Sequence, residues 1–99
     1  MKKQRNTKEF ERLKKEIVNI LRKYHIKKAG IFGSYARGEE RKKSDVDIVI
    51  QPSKTMGFQF AGIEIELQQA TGKKIDLVTY KGLNVHLKKD ILREEKRLI

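Results

Sequence analysis

The sequence predicts one small α/β domain, and three observations indicate this class. Stretches with helical periodicity alternate with short apolar stretches that have the character of strands. The predicted order is helix, strand, helical turn, strand, helix, strand, helix, without an internal repeat or a linker. Ninety-nine residues suffice for one domain with a modest core. We therefore expect a single domain over residues 1–99.

The first helix is predicted over about residues 7–24. Asn6 and Glu9 have the spacing of a helix N-cap and its reciprocal partner. Apolar residues then recur at steps of three and four, which predicts one buried face. These residues are Phe10, Leu13, Ile17, Ile20, Leu21 and Tyr24.

A short apolar strand follows at residues 29–32 and ends at Gly33. Residues 34–37 can form one helical turn, which Gly38 would close. The next six residues are all charged or polar, so we expect an exposed loop there.

The second strand is predicted over residues 45–51, and Pro52 ends it. Because side chains alternate along a strand, its two faces differ in character. The core face would carry Val46, Ile48 and Ile50, and the opposite face Asp45, Asp47 and Val49.

The last three elements are a helix, a strand and a helix. The middle helix would bury one side and end at Gly72, which is a typical C-cap residue; that side comprises Phe60, Ile63, Leu67 and Ala70. A strand is predicted over residues 74–80. A final helix over about residues 84–98 would carry an apolar side made of Leu87, Ile91 and Leu98, with Leu92 beside it.

A glycine–serine turn and paired aspartates indicate chemistry on a nucleoside triphosphate. Gly33 and Ser34 allow backbone N–H groups to approach phosphate oxygens closely. Asp45 and Asp47 leave the same face of a strand, with Cα atoms about 6.5–7 Å apart. Two such carboxylates can converge on Mg²⁺. An isolated Asp-x-Asp is more often only the solvent-exposed side of a strand. The glycine–serine turn eleven residues earlier is the observation that favours a functional site for this pair.

Asp76 lies in the following strand and can complete a carboxylate cluster. If a right-handed helical crossover joins the two strands in parallel, Asp76 and Asp47 can lie side by side. Carboxylates at such distances raise one another's pKa unless cations neutralise them. The alternative is that Asp76 is an ordinary polar residue of an edge strand.

These residues together resemble the polymerase-beta-type nucleotidyltransferases, and more narrowly the minimal nucleotidyltransferases (MNT or MntA-like proteins) of prokaryotes. The similarity covers about residues 29–99. It depends on Gly33-Ser34-Tyr35-Ala36-Arg37-Gly38, on Ser44-Asp45-Val46-Asp47, and on Asp76 within Lys74-Ile75-Asp76-Leu77-Val78. The resemblance implies a mixed sheet of three to four strands with helices packed on one side.

The resemblance also implies roles for residues. Asp45, Asp47 and Asp76 would hold two Mg²⁺ ions and form the catalytic set, and Asp76 would accept the proton of the attacking hydroxyl. Gly33, Ser34 and Arg37 would bind the triphosphate of ATP. For Arg37, a surface ion pair with Glu39 or Glu40 is the alternative. Tyr35 would either pack near the nucleotide or cover the turn.

Members of this family are commonly paired with a HEPN-domain ribonuclease toxin. The function that the resemblance implies is an antitoxin that transfers AMP from ATP to a tyrosine of such a toxin, within a hetero-oligomer. One alternative is neutralisation of the partner by binding alone. Another is transfer to RNA or a different acceptor.

Composition limits the remaining possibilities. The chain has no cysteine and no apolar run of the ~20 residues that a membrane span needs, so we expect a cytoplasmic protein. The net charge of +11 would attract polyanions, but the charge is dispersed and not interleaved with aromatic residues, which disfavours nucleic acid as the main partner. The basic residues of the last helix could instead dock an acidic protein partner.

Overall fold

The computed structural model describes residues 7–41, 43–54 and 59–99. The element order predicted from the sequence is confirmed, and one short strand is added at the end. The elements are α1 (Thr7–Lys23), β1 (Lys28–Phe32), α2 (Gly33–Arg37), β2 (Val46–Gln51), α3 (Gln59–Thr71), β3 (Ile75–Thr79), α4 (Val85–Glu94) and β4 (Lys96–Arg97).

The four strands form one mixed sheet in the order β3-β2-β1-β4. β2 and β3 are parallel and are joined by α3, as the crossover argument predicts. β1 is antiparallel to both of its neighbours. The α/β class and the mixed sheet are thus confirmed.

The main core lies between one face of the sheet and the helices α1 and α3. Of the predicted apolar face of the first helix, Phe10, Leu13, Ile17 and Leu21 are buried, and Ile20 and Tyr24 are partly buried. In α3, Ile63 and Leu67 are buried, whereas Ala70 is exposed. The sheet contributes Ala29, Ile31, Val46, Ile48, Ile50, Ile75 and Leu77. Between the two helices, Glu66 accepts a hydrogen bond from Tyr24 at 2.7 Å and pairs with Lys23.

The opposite face of the sheet is partly covered by the segment that carries α4. Val49 points to this face yet is fully buried. The Glu95 carboxylate lies directly over Gly30, where any Cβ would collide with it. Tyr80 donates a hydrogen bond to the same carboxylate, and burial together with this bond raises the pKa of Tyr80. Gly30 therefore leaves the space that the Glu95 side chain occupies.

The end of the chain differs from the prediction. The last helix stops at Glu94 instead of continuing to residue 98, and residues 96–97 form β4. The free edge of β1 offers backbone groups that a longer helix would leave unpaired, and the N–H of Leu98 donates to the carbonyl of Ala29 at 2.9 Å. Leu87, expected on the apolar side, is 56% exposed.

Other predicted boundaries are close to those observed. Gly72 has a left-handed φ of 68° and its N–H bonds the carbonyl of Gln68, which confirms the C-cap. The capping role predicted for Asn6 lies outside the described residues. No helix within the described ranges has the length and apolar character needed to cross a bilayer.

Candidate active site

Asp47 and Asp76 lie side by side on neighbouring strands. Asp47 is in register with Asp76 of β3 on one side and with Phe32 of β1 on the other. Since Ile48 and Leu77 face the main core, alternation places both carboxylates on the opposite face of the sheet. The beginnings of β2 and β3 therefore bring together two of the three predicted acidic residues.

Gly33 is the residue that lets the Asp47 carboxylate approach the turn after β1. Its φ is +70°, in the left-handed region that glycine tolerates best. A Cβ at this position would also collide with Oδ2 of Asp47. Two independent constraints, backbone conformation and lack of space, thus require glycine here.

The carboxyl of Asp47 carries negative charge that the described protein atoms do not neutralise. Its pKa is raised to about 6, first because it is half-buried, and then because Asp76 and Asp45 add negative charge beside it. The Asp76 carboxyl is close enough to share a hydrogen bond with it, while the positive charge of Arg37 acts in the opposite direction. Such a site favours a bound cation.

Asp45 stands apart from this pair. It directly precedes β2, and its Oδ2 lies 3.9 Å from the Nζ of the exposed Lys74. In the parts of the chain that the structure describes, no three His, Cys, Asp or Glu side chains are gathered tightly enough to hold a metal ion. Asp47 and Asp76 fit a divalent cation by position and by their hard oxygen donors, and the Asp45 side chain, 44% exposed, is near enough to act on the Asp47 charge.

The predicted helical turn is present as α2, and Gly38 closes it with a φ of 73°. Phe32 occupies the N-cap position and its side chain makes no capping hydrogen bond. Ser34 is half-buried, and its carbonyl accepts the N–H of Glu39 at 2.8 Å. Tyr35 is buried and lies parallel to the ring of Phe10 with the centroids 6.3 Å apart, so it covers the turn from the core side.

Arg37 is held at the edge of the site by two carboxylates. Its Nε lies 3.2 Å from Glu39, and its Nη1 lies 3.0 Å from Glu94 at the end of α4. The pairing with Glu39 was one of the alternatives that the sequence left open. The pairing with Glu94 could not be found from the sequence, because 57 residues separate the partners and no local pattern links them.

Comparisons with known proteins identify the family of this chain. The family model described as "Polymerase beta, Nucleotidyltransferase" matches residues 15–99. A Methanocaldococcus jannaschii protein, provisionally named a protein adenylyltransferase, is 37% identical over 83 residues, which cover 83% of this chain and 89% of that protein. Protein adenylyltransferase MntA of Thermococcus cleftensis is 34% identical over 73 residues, covering 73% of this chain and 74% of that protein.

Solved structures support the same fold. The structure of a provisionally assigned minimal nucleotidyltransferase superposes with a TM-score of 0.77 at 26% identity, covering 88% of this chain and 93% of that one. A tri-AMPylated Shewanella oneidensis HEPN toxin in complex with MNT antitoxin gives a TM-score of 0.72 at 20% identity, covering 91% of this chain and 71% of the other. The chain belongs to the polymerase-beta-type nucleotidyltransferase family.

Proposed function

We propose that this chain transfers AMP from Mg²⁺-ATP to a tyrosine hydroxyl of a HEPN-type toxin, and thereby acts as its antitoxin. The observation that carries the proposal is the pair Asp47 and Asp76, held side by side beside the glycine turn at Gly33. Relatives named protein adenylyltransferase support the reaction class. The AMPylated HEPN toxin in the Shewanella oneidensis complex supports the choice of acceptor.

The residues divide into two groups in this proposal. Asp47 and Asp76 would hold the divalent ions, and Asp45 would complete the set once a cation draws its carboxylate away from Lys74. The raised pKa of Asp47 supports this assignment, because a carboxylate beside other negative groups is stabilised by a counter-cation. Bound Mg²⁺ would supply charge neutralisation at the phosphates. Gly33 and Ser34 bring backbone N–H groups to the phosphates, and Arg37 adds a cation at the edge of the site.

In the reaction, the tyrosine oxygen attacks the α-phosphorus of ATP. A new oxygen–phosphorus bond forms, the bond to the bridging oxygen breaks, and pyrophosphate leaves with its electron pair. We assign acceptance of the phenolic proton to Asp76; its exposed side chain beside Asp47 on the open face of the sheet supports this role. Asp47, half-buried against the turn, is less accessible to an acceptor.

Radiolabelled ATP tests the proposal directly. The wild-type chain with Mg²⁺ and its cognate HEPN-type toxin should label that toxin, and Asp45→Asn with Asp47→Asn should abolish the label. Glu64→Gln, which removes a carboxylate from α3 on the other side of the sheet, is the matched control and should leave labelling intact.

Two outcomes separate the alternatives. Persistent labelling by the double aspartate variant contradicts the assigned metal ligands. Protection of cells by that variant without any labelling shows that binding alone neutralises the toxin.

A further inference from the structure

Apolar side chains remain exposed on α4. Four large apolar side chains are well exposed among the described residues, and three of them belong to α4: Val85 at 77%, Leu87, and Leu92 at 44%. Only Ile91 of this ten-residue helix is buried. Single exposed apolar residues are ordinary, but a concentration of them on one short helix is typical of an interaction site.

Val85 and Leu92 lie on the same side of α4. They are seven residues apart, which is close to two helical turns, and Lys88 and Lys89 fall between them at steps of three and four. All four side chains are exposed. We call these four residues the α4 outer face. It combines two apolar anchors with two cations, while the buried Ile91 points to a different side of the helix.

The C-terminal end of α4 is fixed next to the candidate active site. Glu94 pairs with Arg37 of α2, and α4 packs against α2. Glu95, the next residue, lies over Gly30 on the sheet face that carries Asp47 and Asp76. A protein bound along α4 would therefore lie beside the two carboxylates, at the place where an acceptor must present its hydroxyl.

We propose that the α4 outer face is the docking surface for the acceptor protein, and that the acceptor offers an apolar groove bordered by Asp or Glu side chains. The proposal rests on the proposed function, since the acceptor is the protein that receives AMP. The net charge favours an acidic acceptor over a second copy of this chain as the partner of the α4 outer face. A second copy of this chain carries the same net charge of +11 and the same two lysines, so two copies repel one another, whereas an acidic acceptor is attracted.

Titration of this chain with its cognate HEPN-type toxin, without ATP, tests the docking surface by itself. Val85→Ser with Leu92→Ser should raise the Kd by about tenfold or more, because buried apolar anchors dominate such interfaces. Ile65→Ser on α3 is the matched control: Ile65 is 54% exposed but belongs to the helical layer on the other side of the sheet. It should leave the Kd unchanged within about twofold.

The charged half of the α4 outer face is tested separately. Lys88→Glu with Lys89→Glu should slow association with the same protein and weaken its dependence on salt, because these cations steer the encounter. Thermal unfolding of each variant verifies that the fold is retained.

AMP transfer distinguishes this proposal from the proposed function. The Val85→Ser, Leu92→Ser variant should raise the KM for the acceptor while the KM for ATP and the kcat at saturating acceptor stay as in the wild type. If the wild type binds and the double variant does not, but no AMP is transferred, the docking surface stands and the proposed function falls.

Three results would overturn the docking surface. The first is equal binding by the double variant and the Ile65→Ser control. The second is self-association of the wild type that the double variant abolishes, which would assign the face to a second copy. The third is a wild-type chain that does not bind the HEPN-type toxin.

Discussion

The carboxyl of Asp47 is where stability and function oppose one another. Its position in the sheet register forces it beside Asp76, and Gly33 removes the side chain that would otherwise fill the space above it. The result is a half-buried acidic group with negative neighbours, whose pKa rises to about 6. A carboxylate in such a place destabilises the metal-free fold, and a bound cation would relieve this cost.

Asp47→Asn should stabilise the metal-free protein. A shift from 3.8 to about 6 corresponds to a few kcal/mol for a fully buried group, and after allowance for solvent screening about 1 kcal/mol remains. We expect the Tm in EDTA to rise by roughly 5 °C at pH 7.5, while AMP transfer is lost.

The raised pKa of Asp47 fixes the direction in which the stability of the wild type changes with pH. Because the folded protein binds the Asp47 proton more tightly than the unfolded chain, the wild type loses stability as pH rises through about 6. The Tm difference between variant and wild type should therefore be largest above pH 6 and should become smaller as pH falls towards 4. A variant that is less stable than the wild type at pH 7.5 would show that the Asp47 charge is already neutralised.

Gly33→Ala should reduce AMP transfer by more than its loss of folding stability explains. The positive φ costs about 1 kcal/mol for any residue with a Cβ, and here the Cβ also collides with the Asp47 carboxylate. Gly72→Ala is the matched control, because Gly72 has a φ of +68° with open space around it.

Unfolding and transfer assays separate the two effects. Gly72→Ala should lose about 1 kcal/mol of stability with AMP transfer unchanged, whereas Gly33→Ala should lose at least as much stability together with most of the transfer activity. Equal AMP transfer by both alanine variants would mean that Gly33 is needed only for the backbone conformation of the turn.

At the scale of elements, the sequence predicted what depends on local pattern. The periodicity of α1, the alternation of β2 and the positions of Gly38 and Gly72 are local features, and each element formed where it was expected. The parallel pairing of β2 and β3 followed from chain topology and placed Asp76 beside Asp47. The glycine–serine turn and the paired aspartates indicated triphosphate and Mg²⁺ chemistry, whereas the acceptor and the individual roles of the residues came only from the family resemblance.

What the sequence could not predict depends on contacts between distant segments. Residues 96–97 leave their helical pattern because the edge of β1, more than 60 residues earlier, offers backbone partners. Glu94 meets Arg37, and Glu95 meets the space over Gly30, for the same non-local reason. Val49 is buried on a face that the alternation of β2 marks as polar.

Glu94→Gln should make ATP bind more tightly. In the proposed function, the carboxylate of Glu94 would compete with the triphosphate for the guanidinium of Arg37, and glutamine removes its charge with little change in size. Exposed ion pairs contribute up to about 1 kcal/mol, so the KM for ATP should fall by at most about fivefold. Asp90→Asn, a charge change on the same helix, is the control. A higher KM for ATP would show that Glu94 positions Arg37 for phosphate and does not compete with phosphate for it.

The net charge of +11 predicts that the molecule as a whole attracts RNA without sequence specificity. A basic domain binds RNA through phosphate contacts whether or not RNA is its substrate, and such binding weakens steeply with salt. Affinity for a single-stranded RNA, measured by fluorescence anisotropy, should fall by about 50-fold between about 50 and about 200 mM salt if roughly four phosphates are contacted. We expect little preference among RNA sequences.

The double aspartate variant tells general attraction apart from a substrate site. Asp45→Asn with Asp47→Asn removes two negative charges and raises the net charge from +11 to +13. If RNA is attracted only by overall charge, this variant should bind it at least as tightly as the wild type, while transfer to the protein acceptor disappears. RNA affinity that requires Mg²⁺ and is lost in the variant would instead place RNA in the active site, and an RNA-directed transferase would then replace the protein adenylyltransferase as the best account of this chain.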